Sequence, residues 1–115
     1  MCIKLNKSVK TKGKKFYKAF TKEYGKLLTS FACTPVLRTS WNIAKGTEKG
    51  DCLLPVYKHH INKFSVYVGR KSADSHPFDK DIIYEVKVRG KVQGGRFSGT
   101  DAALVDEFKI VGKPI

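Results

Sequence analysis

The chain has 115 residues, of which 23 are Lys or Arg and 10 are Asp or Glu, so its formal net charge is +13. Its length and its 41% hydrophobic content suit one compact core and exclude two independently folded domains. Three widely spaced cysteines argue against a secreted disulfide framework, and neither a membrane-crossing apolar run nor an apolar secretory signal is present. We therefore expect a single intracellular domain that folds without disulfides, metal or cofactor.

The positive charge is concentrated near the N-terminus. Residues 1–28 contain nine lysines against Glu23 alone, so this stretch carries a net charge of +8. Such an asymmetry attracts phosphate polyanions and makes any affinity depend steeply on salt. Residues 1–15 show no helical amphipathicity, and we interpret them as a basic N-terminal arm or edge segment.

From Phe16 onward the pattern is that of a folded domain, which we assign to residues 16–115. Residues 16–20 alternate as a strand, and a Tyr-Gly turn then leads to the apolar stretch 27–33, which together predict a first hairpin. Residues 38–44, which include Trp41, are ambiguous between a short strand and an irregular segment.

The second half of the chain is more regular. Apolar and polar residues alternate over 64–68 and most clearly over 82–92, which predicts two strands. Residues 69–78 favour a marginal short helix, and residues 93–99 favour a flexible Gly-rich turn. Residues 100–104 favour a short capped helical turn, and a closing strand is predicted near residue 108. We expect an α+β fold, mostly antiparallel sheet with one or two short helices.

The candidate site is a surface for nucleic acid or another phosphate polyanion. Lysines act as point charges on phosphates and do not read bases, so we expect low sequence specificity. A second basic cluster lies on the strand 82–92 and its following turn, and one contiguous basic face results if it neighbours the arm. The predicted contact residues are Lys10, Lys12, Lys14, Lys15, Lys18, Lys22, Arg89 and Arg96.

Other features have competing interpretations. The lysine-rich arm is alternatively a solvated tail, and the aromatic residues among the lysines (Phe16, Tyr17, Phe20, Tyr24) either stack on bases or fill the core. The Gly94-Gly95-Arg96 sequence either presents amides to a phosphate or forms a plain hairpin turn. The possible metal ligands are His59, His60, His76 and Cys52, but their spacing forms no zinc motif. We find no catalytic constellation.

Several short elements occur in an order seen in other chains: Tyr17-Lys18, Gly25-Lys26-Leu27, Trp41, His60 with Phe64-Ser65-Val66-Tyr67, Ala73, and the segment 86–92. In this order the chain resembles small uncharacterised proteins of phages and large DNA viruses. The resemblance implies a viral origin, a small mixed α/β domain and a location in the host cytoplasm or nucleus, or in the virion. It carries over no catalytic residue.

The leading hypothesis is a non-enzymatic basic protein that binds nucleic acid or another phosphate polyanion. The alternative is a viral structural protein, such as a minor capsid component, or an inhibitor of a host factor. In that alternative the partner is another viral protein or a host protein with an acidic surface.

Overall fold

A computed structural model describes residues 3–30, 34–43 and 63–115. Within these ranges the chain forms seven strands and one short helix. In chain order they are β1 (Lys4–Leu5), β2 (Phe16–Glu23), β3 (Lys26–Thr29), β4 (Asn42–Ile43), β5 (Phe64–Val68), α1 (Arg70–Asp74), β6 (Ile82–Phe97) and β7 (Thr100–Pro114).

The strands form one antiparallel sheet that closes on itself. Strand β6 pairs with β2, β2 pairs with β5, β5 pairs with β7, and β7 pairs with β6 along most of its length. Three shorter strands add to this ring. Strand β1 pairs with the end of β6, β3 pairs with the end of β2, and β4 pairs with the middle of β7. The result is a small single domain made almost entirely of sheet.

The period-2 alternation of the sequence explains which side chains fill the ring. Alternate residues of β2, β5, β6 and β7 point inward and form the main hydrophobic core, in which Phe20 and Phe108 are fully buried. The ring of Phe108 packs edge-on against Phe64, with centroids 4.8 Å apart. The opposite face of β2 and β5 presents Tyr17 and Tyr67, which α1 covers with Ala73.

The predicted strands 16–20, 64–68 and 82–92, the first hairpin and the helix after residue 69 are all present. The chain turns between β2 and β3 at Tyr24 and Gly25, which have φ values of 51° and 75°. Positive φ at both central residues is the hairpin geometry whose twist matches that of the flanking strands.

The α+β expectation is not confirmed, because the only helix in the described residues has 5 residues. The predicted helical turn at 100–104 is wrong, since this segment is the start of β7 and pairs with both β5 and β6. The flexible turn at 93–99 shrinks to Ser98 and Gly99, because residues 93–97 continue β6. Hydrogen bonding to neighbouring strands outweighs the local preference of these residues for a turn or a helix cap.

In the described part of the chain, no helix is long and apolar enough to cross a membrane.

Candidate nucleic-acid interface

Residues 3–15, interpreted above as an arm or edge segment, lie along the outer edge of β6. Lys4 and Leu5 pair with Arg96 and Gly95 at one end. The N–H of Asn6 then donates to the carbonyl of Gly94 at 3.0 Å. At the other end the Lys15 carbonyl accepts from Gly69 N–H at 2.8 Å, immediately before β2 begins to pair with β6. The segment is therefore held at both ends.

Two adjacent glycines allow this close approach. A Cβ atom at Gly95 would lie 2.5 Å from Ile3 Cγ2, and one at Gly94 would lie 2.6 Å from the Val9 carbonyl oxygen. Ile3 is fully buried, and it packs beside Leu104 in a small cluster of its own. The glycines of this stretch therefore serve close packing within β6. The plain hairpin turn considered for residues 94–96 is wrong, because the chain turns at Ser98 and Gly99 instead.

The segment and β6 bring the two basic clusters of the sequence side by side. We call their exposed cations the basic strip. Its members are Lys4, Lys7, Lys10, Lys12, Lys14, Lys15, Lys87, Arg89, Lys91 and Arg96. The second basic cluster therefore neighbours the N-terminal segment, which was the condition for one contiguous basic face.

A groove of about 480 Å³ opens between the end of the segment and β6. Lys14 and Lys15 lie on one side of it, and Lys87 and Arg89 lie on the β6 side. Trp41, which immediately precedes β4, also lines it. We call this feature the Trp41 groove.

Arg89 is held in a fixed orientation beside Trp41. Its guanidinium carbon lies 4.1 Å from the centroid of the Trp41 ring, which is a close cation–π contact. Its Nη2 donates to Glu107 Oε1 at 2.6 Å, and this hydrogen bond raises the pKa of Arg89, so the guanidinium stays charged. Two partners thus position this cation without neutralising the groove as a whole.

The other cations of the groove are only weakly compensated. Lys15 Nζ lies 3.9 Å from Glu85 Oε1, and its side chain is 72% exposed. Within the described residues, neither Lys14 nor Lys87 forms an ion pair, and both are exposed. Exposed cations without anionic partners are suited to bind phosphate.

The prediction that Lys18 is a contact residue is wrong. It lies inside the ring of strands and is 4% exposed, because the alternation of β2 points it inward with Phe20. Its Nζ donates to the Ser65 carbonyl at 2.6 Å and lies 5.5 Å from the Phe108 ring centroid. A polyanion on the surface cannot reach this ammonium group.

The remaining predicted residues divide between the strip and the rest of the surface. Lys10, Lys12, Lys14, Lys15, Arg89 and Arg96 all belong to the strip. Arg96 also lies 3.7 Å from Asp101. Lys22 lies six residues beyond Phe16 on β2, which places it roughly 20 Å from the Trp41 groove.

Of the four aromatic residues for which stacking and core packing were alternatives, most are core residues. Tyr17 and Phe20 are buried, and Phe16 is half-buried against the main cluster. Tyr24 is fully exposed, but it lies at the distant β2–β3 turn. Trp41 was not predicted as a site residue, and the one signal in the sequence was that it is the only tryptophan of the chain. Lys87, on the predicted strand 82–92, was not among the predicted contact residues.

A second polar arrangement, the Asp81 cluster, lies behind α1. It comprises Thr21, Ser30, Tyr67, His76 and Asp81. The side chains of His76 and Asp81 are 2% and 6% exposed, and His76 Nε2 lies 2.6 Å from Asp81 Oδ2. The Tyr67 hydroxyl lies 2.6 Å from His76 Nδ1.

Burial and hydrogen bonding have opposite effects on the Asp81 carboxyl. Desolvation alone would raise its pKa, but hydrogen bonds from Ser30, His76 and Thr21 outweigh this and lower it. The imidazole of His76 thus lies between two partners: its Nε2 donates to the Asp81 carboxylate, and its Nδ1 lies within hydrogen-bond distance of the Tyr67 hydroxyl. Burial, with the charge of Asp81, raises the pKa of Tyr67 to about 12. The cluster is closed to solvent and ties the β2–β3 hairpin to the α1–β6 connection.

Of the possible metal ligands in the sequence, only His76 lies in the described part of the chain. Across residues 3–30, 34–43 and 63–115, no group of His, Cys, Asp or Glu side chains could hold a metal ion. His76 belongs to the Asp81 cluster, whereas His59, His60 and all three cysteines lie outside the described residues.

Comparisons with models of known protein families, with curated proteins and with solved structures each found no match to this chain.

Proposed function

We propose that the protein binds nucleic acid through the phosphates, with low sequence specificity, along the basic strip. The observation that carries this proposal is the adjacency of the two basic clusters across β6. Lysines separated in sequence by more than 70 residues, such as Lys14 and Lys87, line the same groove. Such a concentration of uncompensated cations raises the local concentration of polyanions and speeds their association.

The dimensions of the strip suit a nucleic-acid backbone. From Val86 to Arg96, β6 spans roughly 30 Å at the usual rise per strand residue. The longest principal dimension of the molecule is 38 Å, so the strip runs along most of one side. A length of roughly 30 Å corresponds to about nine phosphates of one strand in B-form spacing.

The chemistry of the strip favours backbone contact over base readout. Of its members all but Arg89 and Arg96 are lysines, which contact phosphates as flexible point charges and lack the planar fork that recognises guanine. Both arginines are engaged by carboxylates, Glu107 and Asp101. We therefore propose a non-enzymatic binding role, exerted in the host cell that the resemblance to viral proteins implies.

The test is fluorescence anisotropy of labelled DNA and RNA against purified protein over a salt series. A triple variant, Lys14→Gln, Lys15→Gln and Lys87→Gln, removes cations from both sides of the groove. The logarithm of its binding constant should fall less steeply with the logarithm of salt concentration, by about 2 to 3 in slope.

A matched control removes the same charge elsewhere on the surface. Lys26→Gln, Lys71→Gln and Lys80→Gln change exposed lysines of the β2–β3 turn, of α1 and of the loop before β6. Its salt slope should stay within about 1 of the unmodified protein. Equal slopes for both triple variants would show that binding follows net charge alone and would refute the strip. Absence of binding at low salt would favour a protein partner with an acidic surface.

A further inference from the structure

We propose that the Trp41 groove takes an unpaired base, stacked on the Trp41–Arg89 pair, so that the protein prefers single-stranded nucleic acid to duplex. This inference rests on the proposed function and names the form of nucleic acid that the strip binds. It assigns to Trp41 a contact that phosphate binding alone does not require.

The planar groups are already arranged for stacking. The Arg89 guanidinium lies over the indole at 4.1 Å, and Glu107 fixes it with a 2.6 Å hydrogen bond. Both Trp41 and Arg89 line the groove, so a ring that enters it can contact both planar groups. Bases stack on tryptophan rings and on arginine planes alike, whatever their sequence.

The groove has the size and the lining that a base requires. Its volume of about 480 Å³ falls within the usual range for small-molecule sites. The partly exposed apolar residues Phe16 and Val88 line its floor, whereas Val86, which also borders it, is buried in the main core. An apolar floor favours the face of a base over a phosphate, which the surrounding lysines attract instead.

The lysines lie where they can contact the phosphates on either side of a stacked base. Lys14 and Lys15 lie on one side of the groove and Lys87 on the other. A strand that inserts one base between them places its flanking phosphates against these ammonium groups. In duplex DNA the faces of the bases are covered by their neighbours, so a duplex meets the lysines but not the indole.

The experiment uses the intrinsic fluorescence of the protein, because Trp41 is its only tryptophan. The unmodified protein is titrated with oligo(dT) of about 12 nucleotides, within the site size of single-strand-binding folds, and with a duplex of equal length. We expect oligo(dT) to quench the Trp41 emission and to bind at least about 5-fold more tightly than the duplex. This measurement requires no variant.

Three variants then locate the contact, and their affinities are measured by the anisotropy of labelled DNA, because Trp41→Ala has no tryptophan emission. Trp41→Ala should weaken oligo(dT) binding by about 5- to 100-fold and leave duplex binding within about 2-fold. Arg89→Lys keeps the charge but removes the plane, so it should weaken oligo(dT) binding by a smaller factor. Tyr24→Ala removes a fully exposed aromatic ring far from the groove, and it should change neither affinity. Thermal unfolding checks that each variant folds.

The outcomes separate this inference from the proposed function. Equal affinity for oligo(dT) and duplex, with unquenched Trp41 emission, would overturn base stacking and leave phosphate binding by the strip intact. The same holds if Trp41→Ala folds and binds oligo(dT) as tightly as the unmodified protein. Failure to bind either DNA at low salt would overturn both.

Discussion

The basic strip and the Asp81 cluster use charge in opposite ways. In the strip, cations such as Lys14 and Lys87 are exposed and make no ion pair within the described residues. In the cluster, Asp81 is almost fully buried and accepts hydrogen bonds from Thr21, Ser30 and His76. Exposed charges contribute little to folding and remain available to a ligand, whereas buried charges with satisfied partners hold the fold together. Substitutions in the two regions should therefore affect different measurements.

The largest loss of stability is expected on removing the centre of the Asp81 cluster. Asp81→Ala leaves the hydroxyls of Thr21 and Ser30 without their acceptor, which should cost about 3 kcal/mol of unfolding free energy. The melting temperature, followed by circular dichroism, should fall by roughly 10 °C.

Asp79→Ala is the matched control for this prediction, because Asp79 is an exposed carboxylate two residues away. It should change the melting temperature by no more than about 2 °C. Similar melting temperatures for the two variants would contradict the structural role of the cluster. The lowered pKa of Asp81 gives the sign of the acid effect: its contribution is complete above the unfolded pKa of about 4 and is lost at lower pH.

Alkaline pH should reveal the contribution of Tyr67 to stability. Its pKa is raised to about 12, so the folded state resists an ionisation that the unfolded chain undergoes near pH 10. Stability is fully present below pH 10 and should fall by about 2 to 3 kcal/mol between about pH 10 and 12. Urea unfolding of the unmodified protein and of Tyr67→Phe across this range measures the effect. A decline of the same size in both proteins would show that Tyr67 does not cause it.

The contact between the N-terminal segment and β6 should affect both the stability of the fold and the binding of DNA. Gly95→Ala places a methyl group 2.5 Å from Ile3 Cγ2, and such overpacking should cost about 2 kcal/mol. The segment should loosen, so hydrogen exchange of residues 3–6 should speed up and DNA affinity should fall, although no charge changes. Gln93→Ala, on the same strand, should leave the exchange unchanged. Unaltered DNA affinity in a loosened Gly95→Ala protein would mean that the strip needs no fixed segment.

The smallest effect on stability is expected in the strip itself. The triple variant Lys14→Gln, Lys15→Gln and Lys87→Gln should change the unfolding free energy by less than about 0.5 kcal/mol, because these side chains are exposed. Urea denaturation gives this value alongside the binding data. A loss above about 1.5 kcal/mol would contradict the distinction between the two regions. The weaker binding of the triple variant would then reflect unfolding as well as lost charge.

The sequence predicted the elements that depend on local alternation. The strands at 64–68 and 82–92 and the first hairpin follow from period-2 patterns and turn residues, which require no knowledge of the partner strands. The same reasoning failed at residues 100–104, where small apolar residues resemble a capped helical turn. Their strand conformation depends on β5 as well as on the neighbouring β6, and the β5 partners of residues 102–105 lie 35 to 41 residues earlier in the chain.

Composition predicted a basic surface but not which lysines form it. Lys15 and Lys18 are three residues apart in an apparently uniform basic stretch, yet Lys15 is exposed and Lys18 points into the core. The difference is the phase of the β2 alternation, which the aromatic residues on both sides of Lys18 left undetermined. The Trp41 groove could not be predicted either, because it joins three segments that only the closed sheet brings together.

The closure of the sheet also bears on how the chain is made. Strand β2 leaves the ribosome early, but the partners in its longest pairing, residues 82–86 of β6, follow 62 to 70 residues later. During translation its aromatic side chains, among them Phe16 and Phe20, have no complete core to enter. Long-range pairing of this kind slows folding and leaves apolar surface exposed in the meantime. Until β6 emerges, a nascent chain of this protein therefore exposes apolar surface that the finished domain buries.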